Sequence, residues 1–195
     1  MSATARGRPG AGREPVREGK YARIERERRF LLAEAPDASA LGARRRITDR
    51  YLTGTRLRLR RVDWEDGRSP GSEFKFTQKL AAGRPGHVRG LITNIYLSAD
   101  EYEVLAVLPA DVLCKARFSA PPLAVDIFEP PLHGLVLAEA EFSTDAAALS
   151  FALPAAVVAE VTDDARFSGG SLARADRDDL LAWLADYGVP QNRRP

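Results

Sequence analysis

Glu25, Glu27 and Arg29 stand at alternate positions in the segment Ile24-Glu25-Arg26-Glu27-Arg28-Arg29-Phe30. Side chains alternate between the two faces of a β-strand, so on a strand these three share one side. Two carboxylates and a guanidinium on one face make a poor core and a good part of a site for a metal ion and an anion. The same spacing returns four times. Arg58 and Arg60 alternate with leucines, Lys75 and Lys79 flank Thr77, Lys115 and Arg117 flank Ala116, and Glu139 and Glu141 close the run Leu135–Phe142. Asp126 stands alone among the apolar residues of Leu123–Phe128. Converging Arg and Lys suit a polyphosphate, Arg by bidentate contact and Lys as a point charge. Carboxylates in the same cavity would repel that anion unless a divalent cation lay between them. Mg²⁺ or Mn²⁺, which take one or two carboxylates with phosphate and water oxygens, have the right chemistry.

An ordinary half-buried strand also turns a polar face to water, and that accounts for any one of these segments. It accounts less well for the set, because several opposite faces are strongly apolar: Leu57 and Leu59, Phe74 and Phe76, Val125 and Ile127. A sheet closed into a barrel, charged inside and apolar outside under helices, satisfies all of them together. The turn signals Asp66-Gly67, Ser69-Pro70-Gly71, Gly83 to Gly86 and Pro121-Pro122 separate the strands. Ser98-Ala99-Asp100-Glu101 is a capping box that opens a helix through Tyr102, Leu105 and Leu108. Ser143-Thr144-Asp145 caps a short helix, and Arg177 to Tyr187 forms an amphipathic helix ended by Gly188. A short helix is also expected near Ser39 to Arg45.

The chain of 195 residues is long enough for one domain with a sizeable core. Residues 1–20 read as a disordered basic tail, and residues 21–190 as the folded domain, with the last few residues frayed. A net charge of +2 gives no case for a nucleic-acid binder. Cys114 is the only cysteine, so no intrachain disulfide is possible, which fits a reducing cytoplasm. No apolar run approaches the roughly 18 residues of a membrane span, and the N-terminus lacks the apolar stretch of a signal peptide. There is no Cys/His set for zinc; His87 and His133 fall in loops and read as solvated. A phosphate-binding glycine loop, a dinucleotide fingerprint and a nucleophile elbow are all missing.

The ordered series of charged strands resembles the CYTH, or triphosphate tunnel metalloenzyme, superfamily. Glu25-Arg26-Glu27-Arg28-Arg29 is similar to its E-x-E-x-K opening signature. The resemblance runs in order through Leu57–Arg60, Phe76–Lys79, Lys115–Arg117, Val125–Phe128 and Leu137–Phe142. It closes with Glu160-Val161-Thr162-Asp163-Asp164-Ala165-Arg166-Phe167, similar to the family's E-V-T-x-D-x-R-Y stretch, and so spans Ile24 to Ala173. It implies an eight-stranded antiparallel β-tunnel with flanking helices, a mainly β (α+β) fold, acting on a small-molecule triphosphate or polyphosphate as a monomer or homodimer. By the same resemblance, Glu25 and Glu27 would hold a metal-bound triphosphate, with Asp126, Glu139 and Glu141 as further metal ligands. Arg58, Arg60, Lys79, Lys115 and Arg117 would line the phosphate path, and Arg29 would join Glu25 and Glu27 at the reacting centre; Lys75 points into the same face on the period-two reading of its strand and is expected to bind phosphate with them. Hydrolysis of inorganic tripolyphosphate, or of an organic triphosphate such as thiamine triphosphate, is the activity this implies. Cyclisation of ATP and binding without turnover are the alternatives.

Two departures stand out. Arg29 replaces the signature Lys and cannot readily give up a proton. Leu91 and Thr93 fall at the alternating positions after Arg89 where many members carry acids, so a lumen with fewer acids is expected.

Overall fold

The computed structural model describes residues 18–37, 41–65, 71–83 and 85–189. Nearly all of the predicted basic tail and the turn residues 66–70 lie outside them, as do residues 190–195. The alternating segments are strands: β1 (Arg23–Leu32), β2 (Arg44–Leu52), β3 (Leu57–Trp64), β4 (Ser72–Ala81), β5 (Val88–Leu97), β6 (Ala110–Ala120), β7 (Leu123–Phe128), β8 (Val136–Glu141) and β9 (Val157–Glu160). Four short helices accompany them: α1 (Ala99–Ala106), α2 (Asp145–Ser150), α3 (Gly169–Leu172) and α4 (Arg177–Asp186). A 3-10 turn, Ala165–Phe167, precedes α3.

The strand order is β5-β4-β3-β2-β6-β7-β8-β1-β9, and β1 also pairs with β5. That pairing closes eight antiparallel strands into a barrel and leaves β9 as an extra strand. Along one edge of β1, Arg23–Arg26 pair with β5 and Phe30–Leu32 with β9, while the other edge pairs with β8. The closing pair carries a bulge between Glu25 and Arg26. Gly90 makes this possible: its φ is +139°, and a Cβ there would lie 1.9 Å from the Leu80 carbonyl oxygen.

The inner face changes character along the barrel. Successive inward positions read Glu25, Glu27, Arg29, Leu31 on β1 and Glu141, Glu139, Leu137 on β8. On β6 they read Arg117, Lys115, Leu113. Leu31, Leu113 and Leu137 are buried in a cluster with Phe167, Leu172, Leu180 and Leu184. The C-terminal segments therefore plug one end of the barrel with apolar side chains, and the charged stretch of lumen begins one step above the plug. Gly169 of α3 sits so close to Tyr51 that a Cβ there would fall 1.9 Å from the phenol oxygen.

The apolar outer faces are covered as expected. Phe30, Val125, Val136 and Ala138 are buried in a second cluster against Phe142 and Phe151. On the other side, the α1 residue Tyr102 packs its ring 4.7 Å from that of Phe74. The capping box of Ser98 and Glu101 is present, Thr144 caps α2, and Asp176 caps α4. The helix expected near Ser39 to Arg45 is not formed in the described residues: Arg44 and Arg45 open β2, because their backbone pairs with β6 and β3. Among the described residues no helix is long and apolar enough to cross a membrane.

Candidate functional site

The charged stretch encloses a cavity of about 360 Å³. Arg58 and Arg60 from β3, Lys75 and Lys79 from β4, Lys115 and Arg117 from β6, Glu139 and Glu141 from β8, and Glu25, Glu27 and Arg29 from β1 all line it. The cavity thus brings together every predicted site residue except Asp126, which is on the inner face but buried beneath Lys115 and Arg117.

Around the circumference the charges segregate. β8 and β1 form an acidic arc, while β4, β3 and β6 supply a cationic one. Glu27 is directly opposite Glu141 in the β1–β8 register, and Arg29 is opposite Glu139. Arg29 lies inside the acidic arc and holds it together. Its guanidinium donates to Glu27 at 2.5 Å and to the Phe167 carbonyl at 2.7 Å, and its Nε lies 3.5 Å from Glu139. Burial alone would lower the Arg29 pKa, but the Glu27 and Glu139 carboxylates outweigh it and raise it further. Arg29 is a fixed positive charge, so it keeps its proton and does not transfer it.

The cationic arc has a mirror arrangement that the charge pattern of the sequence did not disclose. Asp49 of β2, 1% exposed, accepts from Arg60 Nε and Nη2 at 2.6 and 2.7 Å, and Arg58 Nε lies 3.5 Å away. Burial would raise the Asp49 carboxyl, but Arg60 and Arg58 outweigh it and hold it well below the usual carboxylate range. Its signal in the sequence is the alternation Ile47, Asp49, Tyr51, a buried-face pattern with one acid in it.

Asp126, expected as a metal ligand, is engaged by cations in the same way as Asp49. It is fully buried, and both its oxygens are taken by Arg117, at 2.6 Å each, and by Lys115. It anchors the two cations. Burial pulls the Lys115 pKa down, and Asp126 only partly offsets this. Arg117 bridges the arcs by also pairing with Glu139. Burial would raise the Glu139 carboxyl, but Arg117, Lys115 and Arg29 hold it well below its ordinary value. Lys79 pairs with Glu25 at 2.5 Å, and Lys75 with Glu73 at 2.8 Å.

On β5 the acid-poor lumen is as expected, but the residues differ by one. Asn94 faces Thr77 and Ile92 faces Lys79, so these two line the cavity. Thr93 pairs with Gln78 on the other side of the strand, and Leu91 pairs with Leu80 near the plugged end. The bulge at Gly90 shifts the parity. Asn94 accepts a hydrogen bond from the buried Thr77 hydroxyl at 2.8 Å. The two histidines lie in loops but are only partly exposed: His87 reaches Asp145 at 3.2 Å, and the Nδ1 of His133 is buried.

Among the described residues no three His, Cys, Asp or Glu side chains converge to form a metal site by themselves. A divalent cation bound with phosphate needs fewer, one or two carboxylates. Glu27 and Glu141, facing each other with oxygen-only donors, fit that requirement. Burial, and then the charge of Glu139, push the Glu27 carboxyl above its ordinary value despite Arg29. That crowding of negative charge is what a cation would relieve.

No family model and no curated protein matches the chain. Solved structures do. The crystal structure of the inorganic triphosphatase NE1496 is 27% identical over 77% of this chain and 95% of its own, with a TM-score of 0.51. A second crystal structure of NE1496, described as a hypothetical protein, is 28% identical over 78% of this chain and 99% of its own, with a TM-score of 0.52. The PH1819 protein from Pyrococcus horikoshii OT3, 15% identical over 88% of this chain and 94% of its own at a TM-score of 0.45, is too remote to bear on function. Barrel closure, the ordered charged strands and the match to nearly all of NE1496 lead to one fold: this chain has the closed antiparallel β-tunnel fold of the CYTH type.

Proposed function

We propose that the chain hydrolyses a triphosphate inside the lumen, inorganic tripolyphosphate foremost, with Mg²⁺ or Mn²⁺. The observation that carries this reading is the apposition of an acidic and a cationic arc around one cavity of about 360 Å³. The likeness to the inorganic triphosphatase NE1496 supports it.

Arg58, Lys79, Lys115 and Arg117 neutralise the phosphate chain and stabilise charge developing on the transferred phosphoryl group. Arg60, turned toward Asp49, and Lys75, near the open end, add to the field. Glu27 and Glu141, with Glu25 and Glu139 beside them, would hold the cation. That ion would supply charge neutralisation at the phosphate oxygens and a polarised water. Glu25 and Glu27 orient the attacking water, while Arg29 keeps their wall in register. Asp49 and Asp126 fix the cations before the substrate arrives, so little reorganisation is needed during the reaction.

The test is release of phosphate by the purified protein from tripolyphosphate, thiamine triphosphate and nucleoside triphosphates, first with Mg²⁺ and then with Mn²⁺. Release fastest from tripolyphosphate is expected. No release from any of them overturns the reading, and formation of cyclic AMP from ATP would replace it with cyclisation.

A further inference from the structure

The end of the barrel away from the plug opens into a second cavity of about 470 Å³, which shares Arg60, Lys75 and Arg117 with the lumen. Arg45 of β2 also lines it. Arg45 is directly opposite Arg117 in the β2–β6 register, so the two point to the same side. Unlike Arg29, Arg58, Arg60 and Arg117, Arg45 has no carboxylate partner among the described residues. Its Nε is buried without a hydrogen bond, and its guanidinium lies 4.9 Å from the centre of the Trp64 ring. An aromatic face fixes an arginine in place without consuming its donors. The acids nearby are mostly engaged: Glu73 pairs with Lys75, and Glu139 with Arg117. Only Glu141 is without a cation there.

We propose that this open end is a further anion subsite, centred on Arg45, that binds the fourth and later phosphates of an inorganic polyphosphate chain leaving the lumen. Along β2, Arg45 lies six residues from Tyr51 beside the plug, about 20 Å at the rise of a strand. Three linked phosphoryl groups do not span that length. The cavity at Arg45 is continuous with the lumen through Arg60, Lys75 and Arg117 and gives a longer chain room to extend. The inference rests on the triphosphate reading of the lumen and adds selectivity for chain length.

The experiment is calorimetry of the full chain with Mg²⁺, using tripolyphosphate and a long-chain inorganic polyphosphate as the two probes. The intact protein binds the longer chain more tightly. Arg45→Gln weakens long-chain binding roughly tenfold, the value of one charged hydrogen bond, and changes tripolyphosphate binding by no more than about twofold. Arg45→Lys restores part of the long-chain affinity. Equal loss for both probes, no loss for either, or no preference for the longer chain in the intact protein overturns the subsite while leaving the triphosphate reading in place. Failure of tripolyphosphate itself to bind removes both. Thermal unfolding of Arg45→Gln close to that of the intact protein shows that lost binding is not lost folding.

Discussion

The acidic and cationic arcs of the lumen follow one plan with the signs reversed. Each embeds opposite charge: Arg29 between Glu27 and Glu139 in one, and Asp49 between Arg60 and Arg58, with Asp126 between Lys115 and Arg117, in the other. Arg29 and Asp49 differ in how much charge they settle. Asp49 is 1% exposed, and its ionised form is strongly favoured by its arginines. Arg29 also reaches the Phe167 carbonyl next to the plug, yet it leaves the Glu27 carboxyl above its ordinary value. Asp49 is therefore settled as a carboxylate between its arginines, whereas Glu27, pushed up first by burial and then by Glu139, is the strained group of the acidic arc.

Breaking the anchors should give the largest effects. Arg29→Ala and Asp49→Ala each strand a buried charge and should cost about 3–5 kcal/mol of stability in guanidinium unfolding. Arg29→Ala should cost more, since it also frees the Phe167 carbonyl. A loss under about 1 kcal/mol for either would refute its role as anchor.

Ligand binding separates the arcs at the next level. Arg58→Ala should weaken tripolyphosphate binding about 10- to 100-fold, with or without Mg²⁺, as loss of a charged hydrogen bond predicts. Glu27→Gln should leave metal-free binding as tight or tighter and reduce the gain that Mg²⁺ brings. Calorimetry with and without the ion reads both. If the two substitutions respond alike to Mg²⁺, the division of labour is wrong.

The smallest effect is in the pH dependence of stability. Glu27 has a raised carboxyl in the fold, so the native state binds more protons than the unfolded one between the ordinary value of 4.5 and the higher folded value. Stability should fall there as pH rises. Asp49 and Glu139 are lowered, so their contribution is present above their ordinary values and is lost as pH falls through the folded ones. Unfolding midpoints of the intact protein and Glu27→Gln, compared above pH 4.5, should show the decline only in the former.

Most strands and the shared lumen were legible because charge alternated against strongly apolar partners, as in Arg58 and Arg60 against Leu57 and Leu59. β2 was not. Its inner positions, Arg45, Ile47, Asp49 and Tyr51, mix charged and apolar types, and its outer positions, Arg44, Arg46, Thr48 and Arg50, are polar. Neither face is apolar throughout, so alternation leaves no trace, and Asp49 and Arg45 went unnoticed with it. β9 has four residues, too few to show a period. The displacement from Leu91 and Thr93 to Ile92 and Asn94 had a different cause. Strand parity counted from Arg89 holds only without a bulge, and Gly90 supplies one. The roles of Asp126 and Glu139 needed the register, since composition shows an acid but not which cation occupies it.

The dual pairing of β1 has a consequence for how the barrel is made. Ribosomes release β1 before any of its partners, yet it must wait for β5, β8 and β9 to fill its two edges. The meander from β2 to β5 can zip up from neighbouring segments in the meantime. The pairing of β1 joins positions as far apart as Phe30 and Glu160, a high contact order that favours slow folding. The segment that carries Glu25, Glu27 and Arg29 is thus synthesised among the earliest and seated among the last, and the lumen acquires its acidic wall only when nearly the whole domain has emerged.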